Sequence, residues 1–306
     1  MKVAVTLDSR VNSFSMTQYI AKQIQAKFPD WTVDSPGTYR ILKESIDQYD
    51  IIVSWKFLAE DYSSKQLKAV FTPAAGKDWV TEPDDPKIST TFGSFHGPMI
   101  AESFLSMMLQ LNSQQQALSD GQNNKKWFRN FNTPRSLLSD QHLMIVGYGK
   151  IGFHCAKLAK AFGMTITGVG RSDKPDDELG TKILTFDSIE NELEKVDHLL
   201  VLLPKHESTN GMIDQKIFNK LKSTAFVYNF GRGTAINEED LIEALISKAI
   251  AGAGLDVFET EPLPDESDLW DMSNVLISSH NSCCYENYKT LYATELLKNL
   301  IKIERP

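Results

Sequence analysis

Short apolar runs alternate with amphipathic stretches through the first hundred residues. Runs at 3–7, 51–55 and 67–72 predict buried strands, and the spacing of apolar positions predicts helices over 17–28 and 39–46. After Gly97-Pro98 a long helix is predicted from Met99 to about Leu118. The methionines and leucines in it, Met107, Met108, Leu109 and Leu111, read as core or subunit contact. Residues 120–134 are polar and Asn-rich, interspersed with Trp127, Phe128 and Phe131, and read as an exposed arm.

A second alternating series begins at Leu143. It predicts a strand at 143–146, a helix at 151–162 and a strand at 164–169. Further strands follow at 198–203, 225–229, 252–257 and 275–278, with helices at 214–220, 238–248 and 286–303. Such alternation predicts an α/β protein of two doubly wound parallel sheets with helices on their faces. At 306 residues the chain also exceeds the size at which one core usually stays intact.

Charge and cysteine usage narrow the partners. The net charge is −8, and Lys and Arg are scattered, so the dense basic face that duplex nucleic acid needs is not expected. Cys283 and Cys284 are adjacent and Cys155 is distant, which predicts neither a disulfide framework nor a metal site. His96, His142, His154, His198 and His206 are dispersed, without metal-ligand spacing. The first residues read as a strand rather than a cleavable signal, and no apolar run approaches the roughly 20 residues that cross a bilayer. The expectation is a reduced, cytoplasmic protein that does not enter membranes.

The chemistry begins at Gly147-x-Gly149-x-x-Gly152, directly after an apolar strand and at the head of a helix. Gly147 permits the tight turn, Gly149 the close approach of a pyrophosphate, and Gly152 the packing of helix on strand. The helix start, with Lys150 and Ile151, offers N–H groups and a positive dipole end to phosphates. The residues just past the second strand select the cofactor. An NAD enzyme would carry Asp or Glu there for the ribose 2′-hydroxyl. This strand instead runs into Arg171-Ser172, with Lys174 beyond, a donor set suited to a 2′-phosphate. NADP(H) is therefore the expected cofactor, with NAD(H) as the other candidate.

Three polar segments each follow an apolar strand in the second half: Asn229-Phe-Gly-Arg232-Gly233, then Leu255-Asp256 through Glu261-Pro262, then Ser278-Ser-His280-Asn281. In open α/β sheets ligands bind at the carboxyl ends of strands. Reduction of a ketone by a nicotinamide needs the substrate carboxylate held, the carbonyl polarised and a proton delivered. Arg232 offers a rigid donor fork for the first two tasks. His280 titrates near neutral pH and can supply the proton, and Glu261 can orient the imidazole and favour its charged form.

The order NFGRG, then LDVFETEPLP, then a histidine 19 residues after Glu261, with the glycine fingerprint upstream, resembles the D-isomer-specific 2-hydroxyacid dehydrogenase family over residues 147–280. The resemblance implies Arg232, Glu261 and His280 as catalytic residues and Asp256 as the group contacting the nicotinamide. It implies that Leu202, Leu203 and Pro204 through Thr209 run beneath the adenosine, and that Gly231 lies with Arg232 at the cofactor. The domains it implies are a flavodoxin-like substrate domain, 1–98 plus 282–306, closing over a Rossmann dinucleotide domain, 99–281. The loop 71–78 resembles the family's substrate-carboxylate loop, with Ala75 and Gly76 binding through backbone N–H groups. Trp55-Lys56 resembles the NADPH-linked glyoxylate/hydroxypyruvate reductases, which makes Trp55 a pocket-wall candidate, against the alternative of a tryptophan buried at a strand end. A homodimer through 99–134 is implied as well.

The chain departs from the family at Ser279, where proline is usual, at Ser282, and at the bulky Tyr228 and Phe230. These bear on substrate identity. The sequence reading is thus reduction of a small 2-keto acid such as glyoxylate or hydroxypyruvate to the D-2-hydroxy acid. Its alternatives are a phosphoglycerate or longer-chain hydroxyacid dehydrogenase, toward which Lys56 and Lys77 would count, and a non-enzymatic dinucleotide sensor.

Overall fold

The apolar runs of the N-terminal third form the inner strands of one sheet. In the computed structural model, which describes residues 1–127, 129, 135–172 and 176–304, the chain divides into Met1–His96 with Cys283–Pro306, and Gly97–Ser282.

The first unit is built on β1 (Lys2–Thr6), β2 (Thr32–Asp34), β3 (Ile51–Ser54), β4 (Ala69–Thr72) and β5 (Ser89–Phe92). All pairings are parallel in the order β2-β1-β3-β4-β5, the flavodoxin-like winding. β1 and β3 lie inside the sheet with Val3, Ala4, Val5, Ile51, Ile52 and Val53 fully buried, which is why they read as unbroken apolar runs. α1 (Thr17–Lys27) covers β1 and β2, burying Ile20 and Ile24. α2 (Tyr39–Lys43) buries Leu42 and is capped by Thr38, whose side chain accepts from Ile41 N–H.

The second unit opens with α3 (Gly97–Asn112) and α4 (Gln115–Asn123). One helix was expected from Met99 to about Leu118. It is interrupted because Gln114 adopts a left-handed φ of 53°. Asn112 and Ser113 weaken the helix there: the Asn112 amide turns out to Ser136 O at 3.0 Å, as short polar side chains compete with helix bonds. Residues 120–123, expected in a polar arm, belong to α4. β6 (His142–Val146), α5 (Lys150–Ala161), β7 (Thr165–Gly170), β8 (Lys182–Thr185) and β9 (His198–Val201) follow. Then come α6 (Gln215–Phe218), β10 (Phe226–Asn229), α7 (Glu238–Ile246), β11 (Gly252–Leu255) and β12 (Val275–Ile277). The sheet order β12-β11-β10-β9-β6-β7-β8 is the Rossmann winding with one further strand, all parallel. Its core joins Met144, Val146, Leu199, Val201, Val227 and Leu255 to Phe218, Leu241 and Leu245 on one face. The chain then returns to the first unit as α8 (Tyr288–Glu304), packing on α1.

β2, β5 and β8 were absent from the sequence reading. Each is a sheet edge with a polar or half-exposed sequence (TVD, STTF, KILT), so none carries the apolar run of an inner strand. β9 ends two residues earlier than expected: Leu202 N–H makes the last bond to β6, on Val146 O at 2.7 Å, and residues 202–204 leave the sheet. Among the described residues no helix is long and apolar enough to cross a membrane, and no group of three or more His, Cys, Asp or Glu could hold a metal ion.

Candidate functional site

The strands of the second sheet are parallel, so their carboxyl ends share one edge, and the site residues of that unit collect there. At the centre of the edge, Gly147 has φ +94°, and a Cβ on it would stand 2.7 Å from Leu202 O. Only glycine permits that turn with β9's exit so close. The N–H groups of Gly147 and Tyr148 both donate to Val169 O, at 3.0 and 2.8 Å, tying the turn to β7. The first i→i−4 bond of α5 is from Phe153 N–H to Gly149 O at 2.9 Å, so the N–H groups of Lys150, Ile151 and Gly152 lie outside the helical ladder. A Cβ on Gly149 would enter space with nothing within 4 Å. Donors outside the helical ladder, a helix dipole and open space at Gly149 match the demands of a pyrophosphate, so the residues present fit a dinucleotide. Gly152 lies where a Cβ would stand 3.3 Å from Ile145 Cγ2, which sets α5 down on β6.

β7 ends at Gly170, and the exposed Arg171 and Ser172 follow it. Lys174 lies outside the described residues. Beyond β9, Leu203 is buried and Pro204 exposed. Thr209 closes this loop, its hydroxyl donating to Pro204 O at 2.7 Å and His206 O at 2.9 Å.

Beyond β10 the chain makes an Asx turn. Asn229 is buried, accepts from Gly231 N–H at 3.1 Å and donates to Arg232 O at 3.1 Å. The glycines on either side of Arg232 are there for space. A Cβ on Gly231 would be 2.5 Å from Leu203 O, and one on Gly233 1.8 Å from the Phe258 carbonyl carbon. The arginine loop therefore lies backbone to backbone against both neighbouring loops. Arg232 is half-buried, with Nη1 donating to Gly231 O at 2.9 Å.

Asp256 follows β11, is 1% exposed, and organises the histidine segment. Its Oδ1 accepts from Ser278 Oγ at 2.7 Å, Asn281 N–H at 2.9 Å and Ser282 N–H at 3.2 Å, and its carbonyl accepts from His280 N–H at 2.8 Å. Held this way, His280 takes a left-handed φ of +49°, which a non-glycine residue adopts at a cost. Its Nδ1 meets Glu261 Oε2 at 2.7 Å, and Glu261 Oε1 accepts from Phe258 N–H at 3.1 Å. Nδ1–H is thus the donor to the carboxylate, and Nε2 is the nitrogen left for a substrate.

Charge tunes the pair. The bond to Glu261 raises the His280 pKa above its ordinary value. Burial opposes the rise, the Glu261 and Asp256 charges add to it, and the Arg232 charge subtracts. Burial works to raise Glu261, but the bond and charge of His280, Phe258 N–H and Arg232 together hold it below the usual range. Arg232 acts on both partners, which puts all three groups in one electrostatic cluster. A protonated imidazole, a guanidinium and an ionised carboxylate can together bind an oxyanion and deliver a proton to it.

In the first unit, Ala75 is exposed and Gly76 half-buried in the loop after β4, which is shaped by Ala74 N–H on Thr72 Oγ1 at 3.2 Å and Gly93 N–H on Ala74 O at 3.0 Å. Trp55 is half-buried after β3, with ring centroids 5.9 Å from Phe14 and 6.4 Å from Tyr288. Its Nε1 is enclosed without a hydrogen-bond partner among the described residues. The structure thus brings Arg232, Asp256, Glu261 and His280 together in one unit, with the glycine turn on the same sheet edge, while Trp55, Ala75 and Gly76 belong to the other. Cys155 is buried, Cys283 half-buried and Cys284 exposed. The sequence reading assigned no work to Asn229 or Ser278. The Asn-x-Gly spacing was the available signal for the first; nothing local announces that Ser278 serves a residue 22 positions away.

Residues 105–282 match the model of the D-isomer specific 2-hydroxyacid dehydrogenase NAD binding domain. A glyoxylate reductase of Thermococcus litoralis is 36% identical over 166 residues, 54% of this chain and 49% of the relative. The chain spans about half the length of the curated relatives it matches. A D-isomer specific 2-hydroxyacid dehydrogenase from Xanthobacter autotrophicus Py2, solved with NADPH and MES, superposes with a TM-score of 0.84 at 25% identity, covering 99% of this chain and 94% of that one. The NADPH-dependent glyoxylate/hydroxypyruvate reductase of Sinorhizobium meliloti, solved with NADP and sulfate, gives 0.78 at 25% identity with the same coverages. With its NAD binding domain matched across more than half its length, the chain belongs to the D-isomer specific 2-hydroxyacid dehydrogenase family.

Proposed function

We propose that this protein is an NADPH-preferring reductase that converts a small 2-keto acid of the glyoxylate or hydroxypyruvate type to the D-2-hydroxy acid. The observation that carries the reading is the Glu261–His280 bond at 2.7 Å with Arg232 in the same electrostatic cluster. A bound reduced nicotinamide supplies the hydride for the carbonyl carbon. Arg232 grips the substrate carboxylate and polarises the carbonyl oxygen. As the π electrons move onto that oxygen, His280 Nε2 gives it a proton, and Glu261 stays ionised and keeps the ring aligned. Water then reprotonates the imidazole. Asp256 positions the His280 turn and faces the nicotinamide in this reading. Gly147, Gly149, Lys150, Ile151, Gly152, Leu203, Pro204, Thr209 and Gly231 hold the rest of the dinucleotide. Arg171 and Ser172 take the 2′-phosphate, with Lys174 as a further candidate.

Residues 1–98 with 282–306 serve as the substrate domain, with Ala75 and Gly76 binding the carboxylate and Trp55 walling the pocket. Lys77 is paired with Glu82 at 2.8 Å and Lys56 lies over the Tyr39 ring at 5.4 Å, so a phosphorylated substrate would compete with these partners for either cation. The names of the Thermococcus and Sinorhizobium relatives support the choice of keto acid, and the NADPH and NADP complexes support the cofactor. A homodimer through 99–134 is supported by the exposure of Leu109 and Trp127.

NADPH oxidation, followed by absorbance with glyoxylate, hydroxypyruvate, pyruvate and phenylpyruvate and repeated with NADH, tests the proposal. Turnover that favours NADPH, and glyoxylate and hydroxypyruvate over pyruvate and phenylpyruvate, is expected. Equal turnover with NADH at matched low concentration would remove the 2′-phosphate assignment. Cofactor binding without turnover on any acid would remove the enzymatic one.

A further inference from the structure

Two glutamates that the proposed chemistry does not use join the loop carrying Arg232 to the loop carrying Glu261. Glu238 N–H donates to Glu259 Oε1 at 3.1 Å, and Glu259 N–H donates to Glu238 Oε2 at 3.2 Å. Each residue thus offers its backbone to the other's side chain. Glu238 opens α7, where the first N–H groups of a helix have no intrahelical acceptor, so Glu259 caps it from outside. Burial raises the Glu238 carboxyl above its ordinary value, the Glu259 N–H bond opposes the rise, and the Glu259 charge adds to it. Two like charges face each other here, and backbone geometry holds them together against their repulsion.

Both limbs are stiff between this pair and the reacting groups. On the arginine side, Arg232 O accepts from Asn229 Nδ2 and from Ala235 N–H, each at 3.1 Å. Ile236 N–H then donates to Gly233 O at 3.1 Å and Asn237 N–H to Ile213 O at 2.9 Å, which brings the chain to Glu238. On the carboxylate side, Phe258 N–H holds Glu261 Oε1 at 3.1 Å, and Glu259 is the next residue. The limbs meet at Gly233, where a Cβ would be 1.8 Å from the Phe258 carbonyl carbon and 2.4 Å from Glu259 N. The glycine permits the approach, and the two glutamates supply bonds across the seam.

We propose that Glu238 and Glu259 are a reciprocal positioning pair that sets where Arg232 stands relative to Glu261 and His280, and so sustains the rate of reduction. The inference rests on the reading of Arg232, Glu261 and His280 as the reacting groups. Neither glutamate touches substrate or cofactor; both act through the loops they join.

The test takes two readouts on the full-length protein. Glu238→Ala and Glu259→Ala each remove one acceptor across the seam. Each is expected to lower kcat/KM about ten-fold, because small misplacements of reacting groups are costly, with the NADPH dissociation constant within about two-fold of wild type. Gln at either position keeps an acceptor oxygen and should stay near wild type. The second readout is the His280 pKa, followed by NMR of histidine-labelled protein without cofactor or keto acid. The bond and charge of Glu261 and the charge of Asp256 raise that pKa, and the Arg232 charge lowers it. Arg232→Ala therefore marks the full rise on losing the guanidinium, and each glutamate-to-alanine variant should show part of it. A pair that only stabilises the fold would lower the melting temperature and leave kcat/KM and the pKa unchanged, which overturns the proposal. Gln variants as slow as the Ala variants overturn it too. If Arg232→Ala itself moves neither rate nor pKa, the reading of the arginine fails and the proposal with it. If Arg232→Ala moves both and the glutamate variants move neither, the positioning pair alone fails.

Discussion

The two ends of the second sheet hold histidines of opposite character. At the amino edge, His198 opens β9 fully buried, with Nε2 at 3.1 Å from Gln141 Oε1 and Nδ1 at 3.0 Å from Tyr228 Oη. A neutral ring satisfies both contacts, Nε2–H donating to the amide oxygen and Nδ1 accepting from the phenol. Burial drives its pKa down to about 4. His142, which opens β6, is shifted the same way by burial and contacts Thr167 Oγ1 at 2.9 Å. At the carboxyl edge, His280 meets a carboxylate on an exposed turn, and its pKa rises. Fold and residue type are the same; the partner's charge and the access of water differ. One edge uses imidazole as a neutral polar filler of the core, and the other uses it as an acid.

Exchanging the roles experimentally gives the largest expected effect. His280→Ala should lower kcat for keto acid reduction about 10³-fold, the usual range for loss of a positioned general acid, while the dissociation constant for NADPH stays within about two-fold. His198→Gln should leave kcat near wild type. Stopped-flow and steady-state rates with a saturating cofactor decide it. A slow His198 variant, or a fast His280 variant, would erase the division between the two edges.

The buried edge is expected to reveal itself in stability rather than rate. The His198 pKa is depressed in the folded protein, to about 4, against about 6.5 when unfolded. The unfolded chain therefore binds the proton first as pH falls. The stabilisation is complete above about pH 6.5 and is lost progressively toward pH 4, amounting to about 3 kcal/mol across that window. His142 adds to the slope with the same sign. Denaturant melts at pH 7.5, 6 and 5 measure it. In His198→Gln, which has nothing to titrate there, the slope should shrink by about one proton. An unchanged slope would mean that the ring is not held neutral.

These contrasts also mark what could be read from the chain alone. The inner strands were legible because burial on both faces leaves continuous apolar runs, as in 51–53 and 199–201. The glycine turn, Arg232, Glu261 and His280 stood out because each follows such a run and combines residue types that structure alone does not require. The edge strands β2, β5 and β8 were not legible, since half their surface is polar and pairing on one side suffices to hold them. The same holds for contacts distant in sequence. His198 pairs with Tyr228 and Gln141 across 30 and 57 positions, and Tyr148 with Asp177 across 29, spacings that only the assembled sheet converts into neighbours. Chemistry at strand ends is local and patterned. The supports beneath it are long-range, and their side chains are ordinary.

The smallest expected effect is also the one that separates orientation from proton supply at the carboxyl edge. His280 must carry a proton to donate it, so kcat/KM for reduction should be flat on the acid side and fall as pH rises through its folded pKa. The bond and charge of Glu261 lift that pKa above the ordinary value, which moves the alkaline limb of the profile upward. Glu261→Gln keeps an oxygen to accept from Nδ1–H but removes the charge. Its limb should move down toward the usual imidazole range, giving about a ten-fold loss at pH 8 and far less at pH 6. If Glu261 only orients the ring, the loss should instead be the same at every pH. The shape of the profile, more than its height, therefore says whether the contrast between His198 and His280 is made by the carboxylate or by the turn that presents the ring.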